Sequence, residues 1–207
     1  MKRILTIVTI AFITFASCNN SETTTSANHE NHDSTTITSE TAKNAEEAKT
    51  IQPTFINLDA GVSSHVKSLF DHYIHVKTAL VNSNTAEAKK GADAILQVLK
   101  SFDRSLLSTQ HKEAYDKNMS GIKSAAEGIS NSSEIAKQRE HFAQLSTSAY
   151  ELAKSFGAGK TLYHDYCPMA FNNKGAMWLS EQKEIKNPYY GEEMMECGTV
   201  EEVIQKP

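Results

Sequence analysis

The stretch VSSHVKSLFDHYIHVKTAL, residues 62–80, decides the fold of this chain. Its large apolar residues recur at alternating intervals of four and three positions. They are Val62, Val66, Leu69, Tyr73, Val76 and Leu80. This interval is the period of an α-helix that buries one face, and it differs from the two-residue alternation of a half-buried strand. The stretch therefore predicts an amphipathic helix that packs against other elements.

Three further runs with similar spacing follow before residue 157. The second is Ala88, Ala92, Ile95, Leu99, Phe102 and Leu106; the third is Tyr115, Met119, Ile122, Ala126 and Ile129; the fourth is Phe142, Leu145, Ala149, Leu152 and Phe156. Short polar segments connect the runs, so consecutive helices should be antiparallel neighbours. The sequence predicts an all-α fold, a four-helix up-and-down bundle.

The ends of these helices carry recognisable signals. Asn84 precedes Glu87, and Asn131 precedes Glu134, by the three positions of a capping box. Gly157 follows the fourth run, and glycine readily adopts the left-handed conformation that ends helices.

The helical period disappears after Gly159, although six of the sixteen aromatic residues lie beyond it. Such an aromatic segment is expected to fold back on the bundle as an irregular cap, with a short helical turn around residues 177–183. Trp178, the only tryptophan, is expected to anchor the cap because an aromatic side chain buries a large apolar area. From Thr199 onward the chain is expected to fray.

The first residues are typical of an export signal. Lys2 and Arg3 precede an apolar run at residues 4–15, which is too short to span a membrane as a helix, and small residues then lead to Cys18. The segment resembles a bacterial lipoprotein leader, in which cleavage precedes a lipidated Cys18. Residues 1–17 are thus predicted to be a signal peptide, and acyl chains on Cys18 are expected to hold the protein in the membrane.

The residues that follow Cys18 are mostly polar and small, so they are expected to form a disordered linker. The predicted organisation is a lipidated linker at 18–56, a helical-bundle domain with a metal-binding C-terminal motif at 57–198, and a tail at 199–207. Asn19 follows Cys18 where an inner-membrane retention signal would carry Asp. By that analogy the protein is expected in the envelope, facing the periplasm, with the outer membrane favoured over the inner one.

The charge of the chain limits its partners. The formal net charge is −4, and cleavage before Cys18 would change it to −6 because Lys2 and Arg3 leave with the leader. An acidic chain without a basic block is not expected to bind nucleic acid. The chain also lacks a phosphate-binding glycine loop, a zinc-protease helix motif and closely spaced redox cysteines, so no enzymatic activity is predicted.

Sulfur atoms cluster near the C-terminus. Cys167 and Met169 flank one proline, and Met194 and Cys197 lie three positions apart. In extended backbone, residues i and i+2 point the same way, and in a helical turn residues i and i+3 share a face. Two thiolates and two thioethers would suit a soft ion such as Cu(I). His164 and Met195 are additional candidate ligands.

The same spacing also permits a structural disulfide, because exported cysteines often oxidise in pairs. In that alternative, Cys167 and Cys197 stabilise a metal-free interaction module of the envelope. The residues alone leave both interpretations open.

A family resemblance favours the metal. The segments YCPMA, GAMWLS, NPYYG and MMECG resemble bacterial envelope proteins of the domain-of-unknown-function family 3347, over roughly residues 60–198. Related modules occur in periplasmic adaptors of copper and silver efflux pumps. The resemblance implies copper handling at Cys167, Met169, Met194 and Cys197, with a heavy-metal efflux adaptor or pump as partner. Asn187, Pro188 and Tyr189 are expected to form a supporting turn.

Overall fold

The computed structural model describes residues 48–207. The predicted signal peptide, Cys18 and most of the predicted linker lie outside the described residues. Within residues 48–207, no helix combines the length and apolarity needed to cross a membrane.

The four apolar runs form four long helices, but Phe102 and Leu106 of the second run lie beyond the end of its helix. They are α1 (Ala60–Val81), α2 (Thr85–Ser101), α3 (Thr109–Asn131) and α4 (Ile135–Phe156). Each helix packs on the next one along the chain, and α4 also packs on α1. The apolar seam of α1 is buried at every expected position, with Val66 the most accessible at 1% exposure. The four long helices predicted from the spacing are therefore present.

The helix ends follow the sequence signals only in part. The Asn84 side chain accepts a hydrogen bond from the backbone N–H of Glu87 at 3.1 Å, as predicted. Gly157 ends α4 with a φ of 71°. The prediction of a second capping box at Asn131 is wrong, because α3 extends through Asn131. The Ser132 side chain instead accepts the hydrogen bond from the backbone N–H of Glu134 at 3.1 Å.

The all-α prediction is wrong, because the chain also forms a mixed sheet. The strands are β1 (Lys49–Ile51), β2 (Leu162–Cys167), β3 (Ala176–Ser180) and β4 (Thr199–Ile204), in the spatial order β1-β4-β2-β3. β1 is parallel to β4, and β2 is antiparallel to both of its neighbours. The fold is therefore a helical bundle combined with a small sheet.

There are two physical reasons why the sequence pattern does not predict this sheet. Its strands have only three to six residues, which is too short for a clear period. In addition, β2 buries the consecutive residues His164 and Asp165, so the simple alternation of buried and exposed side chains is lost. The helical turn expected at residues 177–183 is accordingly wrong, because Ala176–Ser180 is a strand.

Two strands lie outside the predicted domain limits of 57 and 198. β1 belongs to the segment expected to be linker, and β4 belongs to the tail expected to fray. The two segments pair with each other, with Lys49 beside Glu202 and Ile51 beside Ile204. The folded unit therefore extends at least from Lys49 to Ile204.

The outer edge of β3 is closed by two tyrosine hydroxyl groups. Tyr189 donates to the carbonyl oxygen of Met177 at 2.5 Å, and Tyr73 accepts from the N–H of Leu179 at 2.9 Å. These backbone groups would otherwise form an unpaired strand edge. β3 packs on α4 and α1, so the sheet is fixed to the bundle along this edge.

Candidate metal centre

The two cysteines of the C-terminal region lie side by side. Cys167 is the last residue of β2 and is fully buried, and Cys197 precedes β4 and is partly exposed. Both are free thiols, and the Cys167 thiol is close enough to help raise the pKa of the Cys197 thiol. Folding thus brings close together two cysteines that are thirty positions apart in the chain.

The strand register brings the two cysteine segments together. Tyr166 and Thr199 form the last pair of the β2–β4 ladder. One further step of this antiparallel pairing would place Cys167 opposite Gly198. Cys197 directly precedes Gly198, so its backbone lies beside the end of β2.

The surroundings of Cys197 favour the protonated form of its thiol. Burial raises the pKa of the Cys197 thiol to about 11, and the neighbouring Cys167 thiol adds to this rise. The backbone N–H of Met169 hydrogen-bonds to the Cys197 sulfur and opposes it. A bound cation would have to replace a thiol proton, as metal ions do when they bind cysteine.

The first two predicted ligands, Cys167 and Met169, are not arranged as the spacing suggested. β2 ends at Cys167, and Met169 has the helical backbone angles φ −83° and ψ −15°. The extended geometry assumed for Cys167 and Met169 is therefore wrong. Met169 lies beside the thiols through its backbone, and its side chain is 44% exposed.

The second half of the motif does form the expected turn. The N–H of Cys197 donates to the carbonyl oxygen of Met194 at 3.2 Å, which closes a turn between them. Met194 and Met195 are both half-buried. The Met195 carbonyl oxygen accepts a hydrogen bond from the N–H of Asn187 at 2.8 Å, so the Met195 backbone is part of the supporting structure.

Asn187 holds the Cys197 segment in place. Its side-chain amide donates to the Cys197 carbonyl oxygen at 2.7 Å, and its side-chain oxygen accepts from the N–H of Tyr189 at 2.8 Å. Asn187 is fully buried. The carbonyl oxygen of Pro188 accepts a hydrogen bond from Arg139 of α4 at 2.9 Å, which ties this turn to the bundle.

Tyr190 fixes the opposite side of the thiol pair. Its hydroxyl donates to the carbonyl oxygen of Met169 at 2.6 Å. The segment 187–190 thus supports Met169 and Cys197 together. Sequence reasoning selected Asn187, Pro188 and Tyr189 but missed Tyr190, although it directly follows them.

Trp178 covers the thiol region from within the sheet. It is fully buried, and its ring packs edge-on against Tyr189 with centroids 5.8 Å apart. Gly198, next to Cys197, has a φ of 147°, and a Cβ atom there would lie 2.8 Å from the Trp178 ring. The close approach of backbone to indole therefore requires glycine at this position.

His164 lies in different surroundings. Its ring stacks on Tyr150 with centroids 4.4 Å apart, and its Nδ1 atom lies 3.5 Å from the Glu202 carboxylate. The contacts of His164 are with Tyr150 of α4 and Glu202 of β4. None of its contacts among the described residues involves Cys167 or Cys197.

A buried acid and a buried amine lie near this region and were missed in the sequence. Asp165 is fully buried, and neither carboxylate oxygen has a hydrogen bond of normal geometry. Burial raises the pKa of Asp165 to about 8, against the opposing effects of Lys77 and the Trp178 indole. Lys77 is 3% exposed and lies 3.5 Å from the Ser180 hydroxyl. The sequence contained one indication of the buried amine, because Lys77 directly follows Val76, which belongs to the apolar face of α1.

The donor set fits a soft ion better than a hard one. Within residues 48–207, no three side chains among cysteine, histidine, aspartate and glutamate are grouped to hold a metal ion. Any further protein ligand beside the two thiols would therefore be a thioether or a backbone atom. Thiolate and thioether donors select Cu(I) and related ions over Mg²⁺ or Ca²⁺.

The fold and the thiol pair together define a class of protein: a helical bundle with a small C-terminal sheet that carries two adjacent cysteines. Residues 69–161 match a family described as "Protein of unknown function (DUF3347)", and this part of the chain is assigned to that family. The matched region runs from α1 to the residue before β2, so it contains neither cysteine of the pair. No curated protein and no solved structure matches the chain.

Proposed function

We propose that this protein binds a soft monovalent ion, Cu(I) or Ag(I), between Cys167 and Cys197. The thioethers of Met169 and Met194, which neighbour the thiols in the chain, complete the ligand set. The observation that carries the proposal is the proximity of two free thiols from chain segments that meet at the end of the β2–β4 ladder. Soft thiolate donors held side by side favour such an ion over harder cations.

Three groups support this assignment besides the sulfur atoms. Asn187 and Tyr190 hold the Cys197 and Met169 backbones, so the thiols need little rearrangement to receive an ion. The Met169 N–H remains available to the Cys197 sulfur after its proton has left. A backbone donor to a thiolate is a charge-assisted hydrogen bond and stabilises the bound state.

The ion is cargo in this proposal. The protein is anchored in the envelope by acyl chains on Cys18, faces the periplasm, and exchanges the ion with a heavy-metal efflux adaptor or pump. The support is the lipoprotein-like leader and the resemblance of the C-terminal motif to modules of such adaptors. The 44% exposure of Met169 gives a partner's sulfur ligand access to one side of the site.

Metal titration of reduced protein tests the proposal. A Cys18→Ser background leaves Cys167 and Cys197 as the only cysteines, because the chain has three in all. We expect one Cu(I) per chain in competition with a chromogenic chelator. Replacing both remaining cysteines by serine should weaken binding at least about 100-fold, because the soft donors are lost. Equal affinity of this variant would contradict the proposal.

The methionines are tested separately. Met169→Leu and Met194→Leu should each weaken Cu(I) binding about tenfold, since each removes one thioether and keeps its volume. Met119→Leu is the matched control, because Met119 lies in α3 and packs against the core. If neither Met169→Leu nor Met194→Leu differs from this control, the thioethers are not ligands.

The location is tested by fractionation. Cys18→Ser should move the protein from the membrane fraction to the soluble fraction of the envelope, because the acylated thiol is lost. Retention of the variant in the membrane would contradict the lipid anchor.

A further inference from the structure

We infer that Cys167 and Cys197 also undergo reversible thiol–disulfide exchange, with Cys197 as the thiol that attacks an external disulfide, and that the resulting internal disulfide closes the soft-metal site. The co-reactant is a disulfide, either a small molecule or a protein. The exchange follows from the geometry of the thiols alone, whereas its effect on metal binding rests on the proposed function.

The two thiols lie close to each other. They are unjoined, and the Cys167 thiol is near enough to help raise the pKa of Cys197. Cys167 ends β2, and one further step of the β2–β4 pairing would place it opposite Gly198, the neighbour of Cys197. Bond formation therefore needs no change in strand pairing.

The two thiols differ in their accessibility to solvent. Cys167 is fully buried at the end of β2, and Cys197 is partly exposed. An external disulfide can reach Cys197 and cannot reach Cys167 without local unfolding. This difference gives the pair two separate roles, an attacking thiol and a resolving thiol.

The reaction has two balanced steps. The Cys197 thiolate attacks a disulfide R–S–S–R, a Cys197–S–S–R bond forms, and one RS⁻ leaves and takes up the proton lost by Cys197. The Cys167 thiolate then attacks the Cys197 sulfur, the intramolecular disulfide forms, and the second RS⁻ leaves and takes up the proton of Cys167. The cysteines lose two electrons, and R–S–S–R becomes two thiols.

The consequence is mutual exclusion of metal and disulfide. A soft ion needs both sulfurs as thiolates, and the disulfide leaves neither in that form. Bound ion should in turn protect the pair against oxidation, because the thiolates are then engaged. The pair thus acts as a redox gate on the site that is proposed to bind the ion.

Oxidised glutathione serves as the probe, applied to the full chain in the Cys18→Ser background. The wild-type pair should lose both free thiols and keep no added glutathione, with recovery on reduction. Cys167→Ser should stop at one glutathione per chain, whereas Cys197→Ser should remain unmodified in the folded state. Two free thiols after treatment, or glutathione on Cys167 in Cys197→Ser at the wild-type rate, would overturn the exchange.

Metal binding by the same samples tests the gate. The oxidised protein should lose Cu(I) binding and regain it after reduction, and one equivalent of Ag(I) should slow disulfide formation. Equal Cu(I) affinity of the oxidised and reduced forms would overturn the gate. If the reduced protein itself fails to bind Cu(I), the proposed function is wrong. The glutathione measurements then still show whether the two thiols undergo exchange.

Discussion

The hydroxyl group of Tyr73 accepts a hydrogen bond from the backbone N–H of Leu179 at 2.9 Å, so a side chain of α1 caps the outer edge of β3. The same hydroxyl lies 2.8 Å from the Ser146 hydroxyl of α4. One fully buried oxygen therefore joins two helices of the bundle to the sheet. This sheet contains Cys167, so the bond connects the bundle to the thiol site.

Tyr73→Phe should destabilise the protein by about 1–3 kcal/mol, because it leaves the Leu179 N–H buried without a partner. The free energy of unfolding from urea titration measures this loss. Tyr163→Phe is a matched control, since Tyr163 is only partly buried. Equal stability of both variants would show that the Tyr73 hydroxyl contributes no net stabilisation.

Asn187→Ala should release the Cys197 segment. It removes the donor to the Cys197 carbonyl oxygen and the acceptor for the Tyr189 N–H, so a loss of about 2–4 kcal/mol is expected from two buried hydrogen bonds. The alkylation rate of Cys197 under native conditions should rise as well. Asn131→Ala, at the exposed end of α3, serves as control and should leave that rate unchanged.

Gly198→Ala should be strained for two reasons. Its φ of 147° is unfavourable for alanine, and the added Cβ would lie 2.8 Å from the Trp178 ring and 3.1 Å from the backbone oxygen of Tyr166. A loss of about 1–3 kcal/mol is expected for such a backbone position. Thermal unfolding measures it, with the exposed neighbour substitution Thr199→Ala as control. A melting temperature like that of the control would contradict the close packing of Gly198 on Trp178.

Asp165 should make stability depend on pH. Burial raises its pKa from 3.8 to about 8, so between these values the folded state binds more protons than the unfolded state. Stability from this group is complete below pH 4 and is lost as the pH rises towards 8. Asp165→Asn does not titrate, so its stability relative to wild type should increase by a few kcal/mol across this window.

Unfolding titrations of Asp165→Asn at pH 5, 6, 7 and 8 measure this difference. Glu127→Gln is the control, because the Glu127 side chain is 49% exposed. Parallel stability profiles of Asp165→Asn and wild type would contradict the raised pKa.

The helices could be predicted from the sequence because their signal is long and local. The seam from Val62 to Leu80 repeats over 19 residues, and burial on one face imposes that repeat. The strands could not be predicted in the same way. β1 has three residues and pairs with β4, which lies about 150 positions later, so no local pattern records the pairing.

The candidate site could be predicted in part, because some of its residues are recognisable from the local sequence alone. Cysteine and methionine are chemically distinctive, so Cys167 and Cys197 were selected without knowledge of the fold. The approach of their chain segments depends on the pairing of β2 with β4, and the separate surroundings of His164 depend on its contacts with Tyr150 and Glu202. Asp165 and Lys77 were missed because their burial arises from the docking of the sheet on α1.

The pairing of β1 with β4 also affects how copies of the protein can associate. β1 is joined to α1 only through residues 52–59, and most of the backbone hydrogen bonds that fix it belong to a ladder of three residue pairs. If β1 peels away, β4 presents an open strand edge that the first strand of another copy fits equally well. At high concentration the protein should therefore form dimers by reciprocal exchange of this strand, and proteolytic cleavage within residues 52–59 should promote assembly through β4.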